Sequence, residues 1–377
     1  MTSSTDRCTL VTGFASTFLA TRLVAKLLRE EPDSSLCCVV PPKFAARARA
    51  IVDDLDPRDR ARIELLEGDA AAMDLGLSGK ELIALAERVQ VIHHCAAVTY
   101  LGIDRRAAER VNVGATREVL ELAELATGLE RLVHWSTASV SGARRGYVLE
   151  DELEAPSGFR NAIEETRFRA ERIVREASAH VPTTILRPTV IVGDSRTGEI
   201  DRFEGPYLLV LLMLNAPVDL RVPLPGRGDV PLNLVPIDYV IDAGYAIVRD
   251  PRSLGRTFHL VDPKPLTARR VFELIAKAAG RPMPRGFLPA NLATALLRTP
   301  GLERFAQVPL AFLEQLATEV VYDARGATEL LAGRHLQCPG FEEYVDVLVQ
   351  YVRAQHNERR ERAREARAGL EEEDPLA

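Results

Sequence analysis

The chain of 377 residues has little cysteine, few aromatic residues and no long apolar run. Its five cysteines are odd in number and widely spaced, which fits neither a disulfide framework nor a set of metal ligands. The longest apolar run, Tyr207–Leu214, is far shorter than the roughly 20 residues that span a bilayer and reads as a buried helix. The start, MTSSTDRC, lacks the basic and apolar regions of a secretory signal, so we expect a reducing, cytoplasmic location.

An excess of positive charge is also missing. Lysine and arginine number 48 against 54 acidic residues, a formal net charge of -6. Binding to nucleic acid needs a concentrated basic surface, so we expect no nucleic-acid partner. In contrast, 46% of the residues are hydrophobic, which is enough to bury a large core.

Short apolar runs alternate with amphipathic helical patterns through the first half of the chain. The strand patterns are Thr9–Thr12, Leu36–Val40, Ile63–Leu66, Val89–His93, Arg131–Trp135 and Thr183–Leu186. The helical patterns between them are Leu19–Arg29, Ala45–Leu55, Gly79–Glu87, Ala107–Ala126 and Phe159–Ala179. This alternation predicts an α/β fold, a Rossmann-type doubly wound parallel sheet with helices on both faces.

The alternation ends near Gly193, which suggests a division of the chain into regions. Residues 1–193 are predicted to form the Rossmann nucleotide-binding core. Residues 194–355 are predicted to form a smaller, mainly helical substrate-capping region, with the chain returning to the core around 233–262. The charged tail, 356–377, lacks a wide apolar stripe and is expected to be a frayed helix or disordered.

The segment VTGFASTFLA joins the first predicted strand to the first predicted helix. Such a turn offers backbone N–H groups and the positive end of a helix to a pyrophosphate, and glycines normally allow close approach. Here Gly13 is the only glycine, and Ser16, Thr17 and Phe18 stand where the helix begins. Two interpretations stay open: these four residues hold a dinucleotide in an altered loop, or the loop has ceased to bind one.

The second predicted strand ends in Val39-Val40-Pro41-Pro42-Lys43, without the carboxylate that usually accepts the ribose hydroxyls of NAD. If a nucleotide binds, Lys43 leans weakly toward the 2′-phosphate of NADP. A solvated lysine with no such role is the equally weighted alternative.

Several segments taken together resemble one family over roughly residues 7 to 355. They are Gly68-Asp69, His94-Cys95-Ala96-Ala97, Asn112, Ser136-Thr137-Ala138, Arg187-Pro188, Gly193 to Asp201 and Val235 to Val240. This combination is similar to the extended short-chain dehydrogenase/reductases, and most similar to the branch with thioester reductase domains and fatty acyl-CoA reductases.

The resemblance implies a role for each matched position. Asp69 would approach the adenine, and Ala96 and Ala97 would line the dinucleotide groove. Pro188 would lie beside the nicotinamide, and the hydroxyl of Thr137 would hydrogen-bond the substrate carbonyl. Asn112 would support the sheet around the site. NADP or NAD is therefore the implied cofactor.

The family's Tyr-x-x-x-Lys pair is replaced in this chain. The register set by Asn161 and by Glu165-Thr166 places Ile163 at the tyrosine position and Arg167 at the lysine position. Isoleucine cannot donate a proton, and Arg167 keeps the charge but is a poor proton donor. Because general acid catalysis contributes roughly two to four powers of ten in rate, its loss demands a substitute.

Tyr100, just beyond the fourth strand, is the main candidate for that substitute acid; otherwise it lines the pocket. His94 is a second, weaker candidate, since a histidine at a strand end can do acid–base work near neutral pH. Glu164 and Glu165 flank Ile163 but read as solvated or salt-bridged residues. We expect no metal site, because the resemblance already explains the acidic stretch from Asp194 to Asp201 as a substrate loop.

Three functions stay open. The first is an NAD(P)-dependent reductase of an acyl thioester or related carbonyl of a small hydrophobic metabolite, using Thr137, Arg167 and a substitute acid such as Tyr100. The second is a non-redox isomerase, cyclase or hydrolase of natural-product biosynthesis in the same pocket. The third is a non-catalytic nucleotide or metabolite sensor. Relatives often pair through two helices, which suggests a homodimer by analogy.

Overall fold

The computed structural model describes residues 7–99, 103–215, 224–225, 228–283, 287–288 and 319–373. The chain divides into two compact units. The first contains Met1–Ile191, Asn233–Pro263 and Thr318–Cys338, and the second contains Val192–Leu232, Lys264–Ala317 and Pro339–Ala377. The sequence assigned Thr318–Cys338 to the capping region, whereas it lies in the first unit.

The first unit is built on a seven-stranded parallel sheet with the order β3-β2-β1-β4-β5-β7-β11. Its strands are β1 Cys8–Thr12, β2 Ser35–Val40, β3 Ile63–Glu67, β4 Val89–His94, β5 Arg131–Trp135, β7 Thr183–Pro188 and β11 Thr257–Leu260. The chain runs outward from β1 to β3 and then crosses back to β4. The strand order therefore reverses between β1 and β4, which is where ligands bind in sheets of this kind.

Helices cover both faces of this sheet, as the sequence predicted. They are α1 Phe18–Glu30, α2 Pro42–Asp53, α3 Pro57–Arg60, α4 Gly79–Arg88, α5 Arg105–Ala108, α6 Ala115–Leu125, α7 Ala162–Ala177, α9 Ile237–Val248 and α11 Arg325–Leu331. A π-helical turn, Glu109–Gly114, connects α5 to α6 inside the stretch predicted as one regular helix. Two separate cores lie on the two faces, and the strands β1, β2, β5 and β7 contribute buried apolar side chains to both.

The central strands are apolar because both of their faces are buried, whereas β3, at one end of the strand order, has no buried residue. All five residues of β1 are buried, and β2 shows the same pattern after its first residue. Helix α1 buries Ala20, Leu23, Val24, Leu27 and Leu28, a spacing that makes one apolar stripe along an α-helix.

The described part of the segment Thr318–Cys338, residues 319–338, packs Ala327, Leu330 and Leu331 into the core of the first unit and makes two further contacts. Strand β13, Val320–Tyr322, pairs in parallel with β6, Gly146–Val148. The Glu150 carboxylate accepts the backbone N–H groups of Gly326 and Ala327 at 2.7 and 3.1 Å, at the start of α11. These partners lie more than 170 residues apart in the chain, so no local pattern announces them.

The second unit is mainly helical in its described part. It contains α8 Pro206–Asn215, α10 Ala268–Ala278 and α12 Phe341–Glu373, together with the short strands β9 Leu224–Pro225 and β12 Phe287–Leu288. The apolar stretch 208–214 lies in α8, where Leu209, Val210 and Met213 are buried. Among the described residues, the remaining short strands are β8 Val190–Val192 and β10 Leu234–Pro236.

The charged tail is helical, one of the two alternatives that the sequence left open. Helix α12 continues without a break to Glu373, although its side chains from His356 to Arg362 lie largely in solvent. Its first half is anchored by buried Phe341, Tyr344 and Leu348, and once a helix is nucleated, further residues add at little cost. Arginine, glutamate and alanine are strong helix formers, and Glu358 and Arg362 form an (i, i+4) pair at 3.7 Å.

Within the described residues, none of the helices combines the length and the apolar character that a membrane crossing requires.

Candidate active site

The loop after β1 meets the loop after β4 at the point where the strand order reverses. Gly13 has a φ of +87°, and a Cβ atom placed on it would lie 2.9 Å from the backbone nitrogen of Ala96. A side chain here is therefore excluded both by conformation and by space. Ala15 also lies in the left-handed region, with φ of 60°, and its side chain is fully buried. Gly13, the one glycine of this loop, thus lies where the loop approaches the backbone of Cys95 and Ala96.

The hydroxyls of this loop are turned toward the loop itself. Ser16 Oγ donates to the Gly13 carbonyl at 2.9 Å, and Thr17 Oγ1 lies 3.3 Å from the same oxygen. Thr17 is the N-cap of α1 and accepts the N–H of Ala20. The Phe18 side chain packs on the core and under the guanidinium of Arg22, so only its backbone is available to a phosphate.

A chain of hydrogen bonds fixes His94 as a neutral structural residue. Thr116 Oγ1 donates to the carbonyl of Asn112, so it accepts from His94 Nε2 at 3.0 Å. His94 Nδ1 then accepts from Thr12 Oγ1, at 2.9 Å, and that hydroxyl accepts the N–H groups of Cys95 and Ala96. Burial lowers the pKa of His94 to about 3. This side chain cannot act as the missing acid near neutral pH.

Asn112 lies in the π-helical turn and connects two parts of the site. Its Oδ1 accepts the N–H of Val98 at 2.8 Å, which holds the loop containing Ala96 and Ala97. Its Nδ2 donates to Thr166 Oγ1 at 2.9 Å, on α7, the helix with Ile163 and Arg167. The extra residue of a π turn aims this side chain between the loop and the helix.

The two candidate adenosine residues differ in their surroundings. Asp69, at the end of β3, accepts the N–H of Ala71 and forms an ion pair with Arg110 at 3.0 Å. Lys43 is exposed in the first turn of α2, and its ammonium lies 5.0 Å from the centre of the Phe44 ring. Neither residue is buried, so both remain accessible to a ligand at this edge.

Ile163 and Arg167 both point into the protein from α7. Ile163 is 7% exposed and Arg167 is 5% exposed. The Arg167 guanidinium donates to the carbonyl of Trp135 at the end of β5, while its Nε is buried without a hydrogen-bond partner. Burial lowers the pKa of Arg167 to about 10, which leaves it charged at neutral pH. Among the described residues, no carboxylate forms an ion pair with it.

Thr137 lies two residues after Trp135, the last residue of β5, whose carbonyl accepts a hydrogen bond from Arg167. It is half-buried and caps a short 3-10 helix, Ala138–Ser141, by accepting the N–H of Ser139 at 3.3 Å. The hydroxyls of Thr137 and Ser139 lie 3.0 Å apart. If Ser139 donates in this pair, the hydroxyl hydrogen of Thr137 is left for another acceptor. The sequence patterns predicted no role for Ser139.

A buried ionic network lies beside this site and was also missed. Glu171 accepts Ser136 Oγ at 2.6 Å and forms ion pairs with Arg187, at 2.6 Å, and Arg175, at 3.0 Å. Glu171 follows Arg167 by four residues, so helical spacing places both on one face of α7. That spacing was a usable signal. The ion pairs of Glu171 are with Arg187 and Arg175, so its charge acts on Arg167 without a direct contact.

The other candidate residues that the structure describes are either salt-bridged or buried. Glu164 pairs with Arg160 at 2.7 Å, and Glu165 pairs with Arg105 at 2.6 Å, as salt-bridged residues. Burial raises the pKa of the Cys95 thiol well above its usual range, so it is not a nucleophile. Pro188 ends β7 as a buried residue. Tyr100, the candidate acid, lies outside the described residues.

Residues 11–244 match the family model described as male sterility protein, a family of NAD-binding domains. This range is more than half of the chain. The chain belongs to the male sterility protein family. The sequence resemblance to extended short-chain dehydrogenase/reductases of the thioester reductase-like branch is thereby confirmed.

Two curated proteins are similar in sequence to this member of the male sterility protein family. Fatty acyl-CoA reductase wat of Drosophila melanogaster is 27% identical over 278 residues, which are 63% of this chain and 53% of that protein. Glycine betaine reductase ATRR of Emericella nidulans is 27% identical over 282 residues, which are 70% of this chain and 21% of that protein. The chain thus spans about half the length of the first relative and a smaller part of the second.

Solved structures confirm the Rossmann-type fold. The terminal R domain from the myxalamid PKS-NRPS biosynthetic pathway has 28% identity and a TM-score of 0.78, covering 94% of this chain and 92% of that one. UDP-glucuronic acid 4-epimerase from Bacillus cereus, in complex with NAD, has 19% identity and a TM-score of 0.67, covering 92% and 99%. At that lower identity the likeness concerns the fold alone.

Proposed function

We propose that this chain is an NAD(P)-dependent reductase that acts on an acyl thioester or a related carbonyl of a small hydrophobic metabolite. Its membership of a family of NAD-binding domains and its similarity to a fatty acyl-CoA reductase and a terminal R domain support this function. The observation that carries it is Arg167, a buried cation without an ion pair among the described residues. Its guanidinium is held by the carbonyl of Trp135, at the carboxyl end of β5 and two residues before Thr137 in the chain.

The residues of the first loop fit a dinucleotide. Gly13 brings the loop against Ala96 at the reversal of strand order, and the first turn of α1 contains no acidic side chain that would repel a pyrophosphate. Gly13 and the backbone of Phe18 would lie against the phosphates. Ser16 and Thr17 would join them once their hydroxyls turn away from the Gly13 carbonyl. The cofactor, when bound, supplies a hydride. Lys43 supports NADP over NAD, because β2 is followed by no acidic residue before α2.

Arg167 and Thr137 would stabilise negative charge without transferring a proton. When a carbonyl carbon accepts two electrons as hydride, its oxygen becomes an oxyanion. A fixed guanidinium in a poorly solvated site stabilises such an anion strongly, and the Thr137 hydroxyl adds a hydrogen bond. Ile163 excludes water from the position where the family has its acid. This arrangement replaces general acid catalysis by electrostatic stabilisation.

The missing acid favours a thioester over a ketone as the substrate. After hydride addition, the carbon–sulfur bond of the tetrahedral species breaks and the thiolate leaves with the bonding electron pair. The oxyanion then becomes the carbonyl of an aldehyde. Because a thiol has a pKa of about 8.5, its thiolate leaves without prior protonation. Reduction of a ketone or aldehyde to an alcohol, in contrast, requires a proton on oxygen.

The test begins with calorimetric titration of the protein with NADPH and NADH, followed by turnover of octanoyl-CoA. We expect micromolar binding of a reduced cofactor and release of free thiol together with octanal. No binding of either cofactor at millimolar concentration would remove hydride chemistry and favour a non-redox enzyme in the same pocket.

Arg167 provides the sharper test. Arg167→Met should lower turnover by about 10²- to 10³-fold, the cost of losing one oxyanion-stabilising group, while Arg167→Lys should recover part of it. Removing an unpaired buried charge should leave the free energy of unfolding unchanged or higher. Arg172→Gln, at an exposed position on the same helix, is the control. A variant Arg167→Met that is less stable but equally active would assign Arg167 a structural role.

A further inference from the structure

A second cleft opens near the amino ends of β1 and β5, away from the carboxyl ends where the candidate active site lies. It lies within the first unit and has a volume of about 230 Å³. Its charged and titratable lining residues are Arg7, Glu31, His93, Glu130, Arg131, Tyr245 and Arg249. The candidate active site is formed by the loops that follow the carboxyl ends of the strands, so none of these residues takes part in it.

Four of the charged residues neutralise one another in pairs. Arg7 pairs with Glu130 at 2.9 Å, and Arg249 pairs with Glu31 at 3.2 Å. Both carboxylates of the cleft therefore already have a cationic partner. A cation that entered the cleft would have to compete with these arginines.

Arg131 is left as the surplus charge of the cleft. Its guanidinium donates to the hydroxyls of Thr184, at 2.8 Å, and Ser253. Both partners are neutral, and within the described part of the chain no carboxylate lies at ion-pair distance from Arg131. A partly buried guanidinium is normally paired, because neutral hydroxyls do not balance its charge.

His93 and Arg7 add hydrogen-bond donors to the same cleft. Trp135 Nε1 donates to His93 Nδ1 at 3.2 Å, which places the ring proton on Nε2. Burial lowers the pKa of His93 to about 3, so the ring is neutral and its Nε2–H is a donor only. Among the described residues, the His93 ring has a hydrogen bond at Nδ1 and none at Nε2. The Nε of Arg7 is buried without a hydrogen-bond partner.

We propose that this cleft is a binding site for a small oxyanion, a phosphate or carboxylate group, held by Arg131 and by the donors of His93 and Arg7. The surplus is one positive charge and at least two unused N–H groups, and phosphates and carboxylates offer the several acceptor oxygens that match them. The volume lies below the roughly 300–1,000 Å³ of drug-sized ligand pockets, which restricts the ligand to a small molecule or ion. This inference is independent of the proposed reductase activity.

The test follows the histidine side chains of the full chain by NMR with ¹⁵N-labelled histidine. Inorganic phosphate and malonate are titrated separately at constant ionic strength, which is balanced with chloride. We expect a saturable shift of the His93 Nε2 signal with one or both anions, and the stronger of the two identifies the ligand class. The signals of His94 and His134, which face other surroundings, should not move.

Two variants decide whether the response belongs to the cleft. Arg131→Gln should weaken anion binding at least tenfold, and Arg172→Gln, an exposed position on α7, should leave it unchanged. Since Arg131 also holds Thr184 and Ser253, Arg7→Gln, whose side chain is 38% exposed, gives a second variant that keeps these contacts. An anion effect without saturation at His93, or one that survives both variants, would mean screening or adventitious binding only and would overturn the proposal.

Discussion

At Gly13 the backbone takes a conformation that side chains rarely adopt, and the loop after β4 lies directly against it. Gly13→Ala should therefore destabilise the protein by about 2–5 kcal/mol, because left-handed strain costs about 1–2 kcal/mol and overpacking about 1–3 kcal/mol. It should also abolish nicotinamide binding if the loop holds the cofactor, since the loop must move away from Ala96. Chemical denaturation and calorimetric titration measure the two effects.

Gly79→Ala is the matched control for this substitution. Gly79 is the first residue of α4, and a Cβ atom there meets nothing within 4 Å. Because alanine is a better helix former than glycine, this variant should be neutral or slightly stabilising. Equal stabilities of the two variants would show that the contact between Gly13 and Ala96 carries no weight.

At the scale of elements, the π-helical turn holds the loop after β4 and helix α7 together through a single side chain. Asn112→Ala removes hydrogen bonds to Val98 and Thr166 and leaves the N–H of Val98 without its acceptor. We expect a loss of about 1–3 kcal/mol in the free energy of unfolding, the cost of an unsatisfied buried polar group. Asn215→Ala, exposed at the end of α8, should change it by less than about 0.5 kcal/mol. Similar losses at both positions would contradict the linking role.

At the scale of the whole molecule, four buried histidines are held neutral. Burial lowers the pKa of His93 and His94 to about 3 and that of His259 to about 4, and it lowers the pKa of His134 well below the usual range. In the unfolded chain these groups titrate near pH 6.5. The unfolded state therefore binds more protons as the pH falls below about 6.5, and stability decreases in that direction.

The free energy of unfolding should accordingly be constant above about pH 7 with respect to these groups and fall between about pH 6.5 and 4. Each histidine contributes up to about 1.4 kcal/mol per pH unit. Denaturant titrations across this range measure the slope, and His94→Gln should reduce it by the share of one histidine. A slope that is unaffected by this variant would argue against a neutral, buried His94.

The sequence by itself determined the architecture. Strand β5 begins and ends where its pattern predicted, at Arg131 and Trp135, because a strand buried on both faces must be apolar along its length. Motif register alone placed Ile163 and Arg167 on one helix, and both lie on α7. That they replace the family's catalytic pair stays a prediction. For the tail, the prediction left a frayed helix and disorder open, and the chain is helical to Glu373, since a missing apolar stripe does not prevent a packed helix from continuing into solvent.

Only the tertiary structure decided what the site residues do. His94 changed from a candidate acid into a structural residue because Thr12 and Thr116 bond both of its ring nitrogens. Arg167 and Arg131 became notable because each is a cation without a carboxylate partner in the described part of the chain. Burial and charge pairing depend on distances between residues that are far apart in sequence, so these properties exist only once the chain has folded.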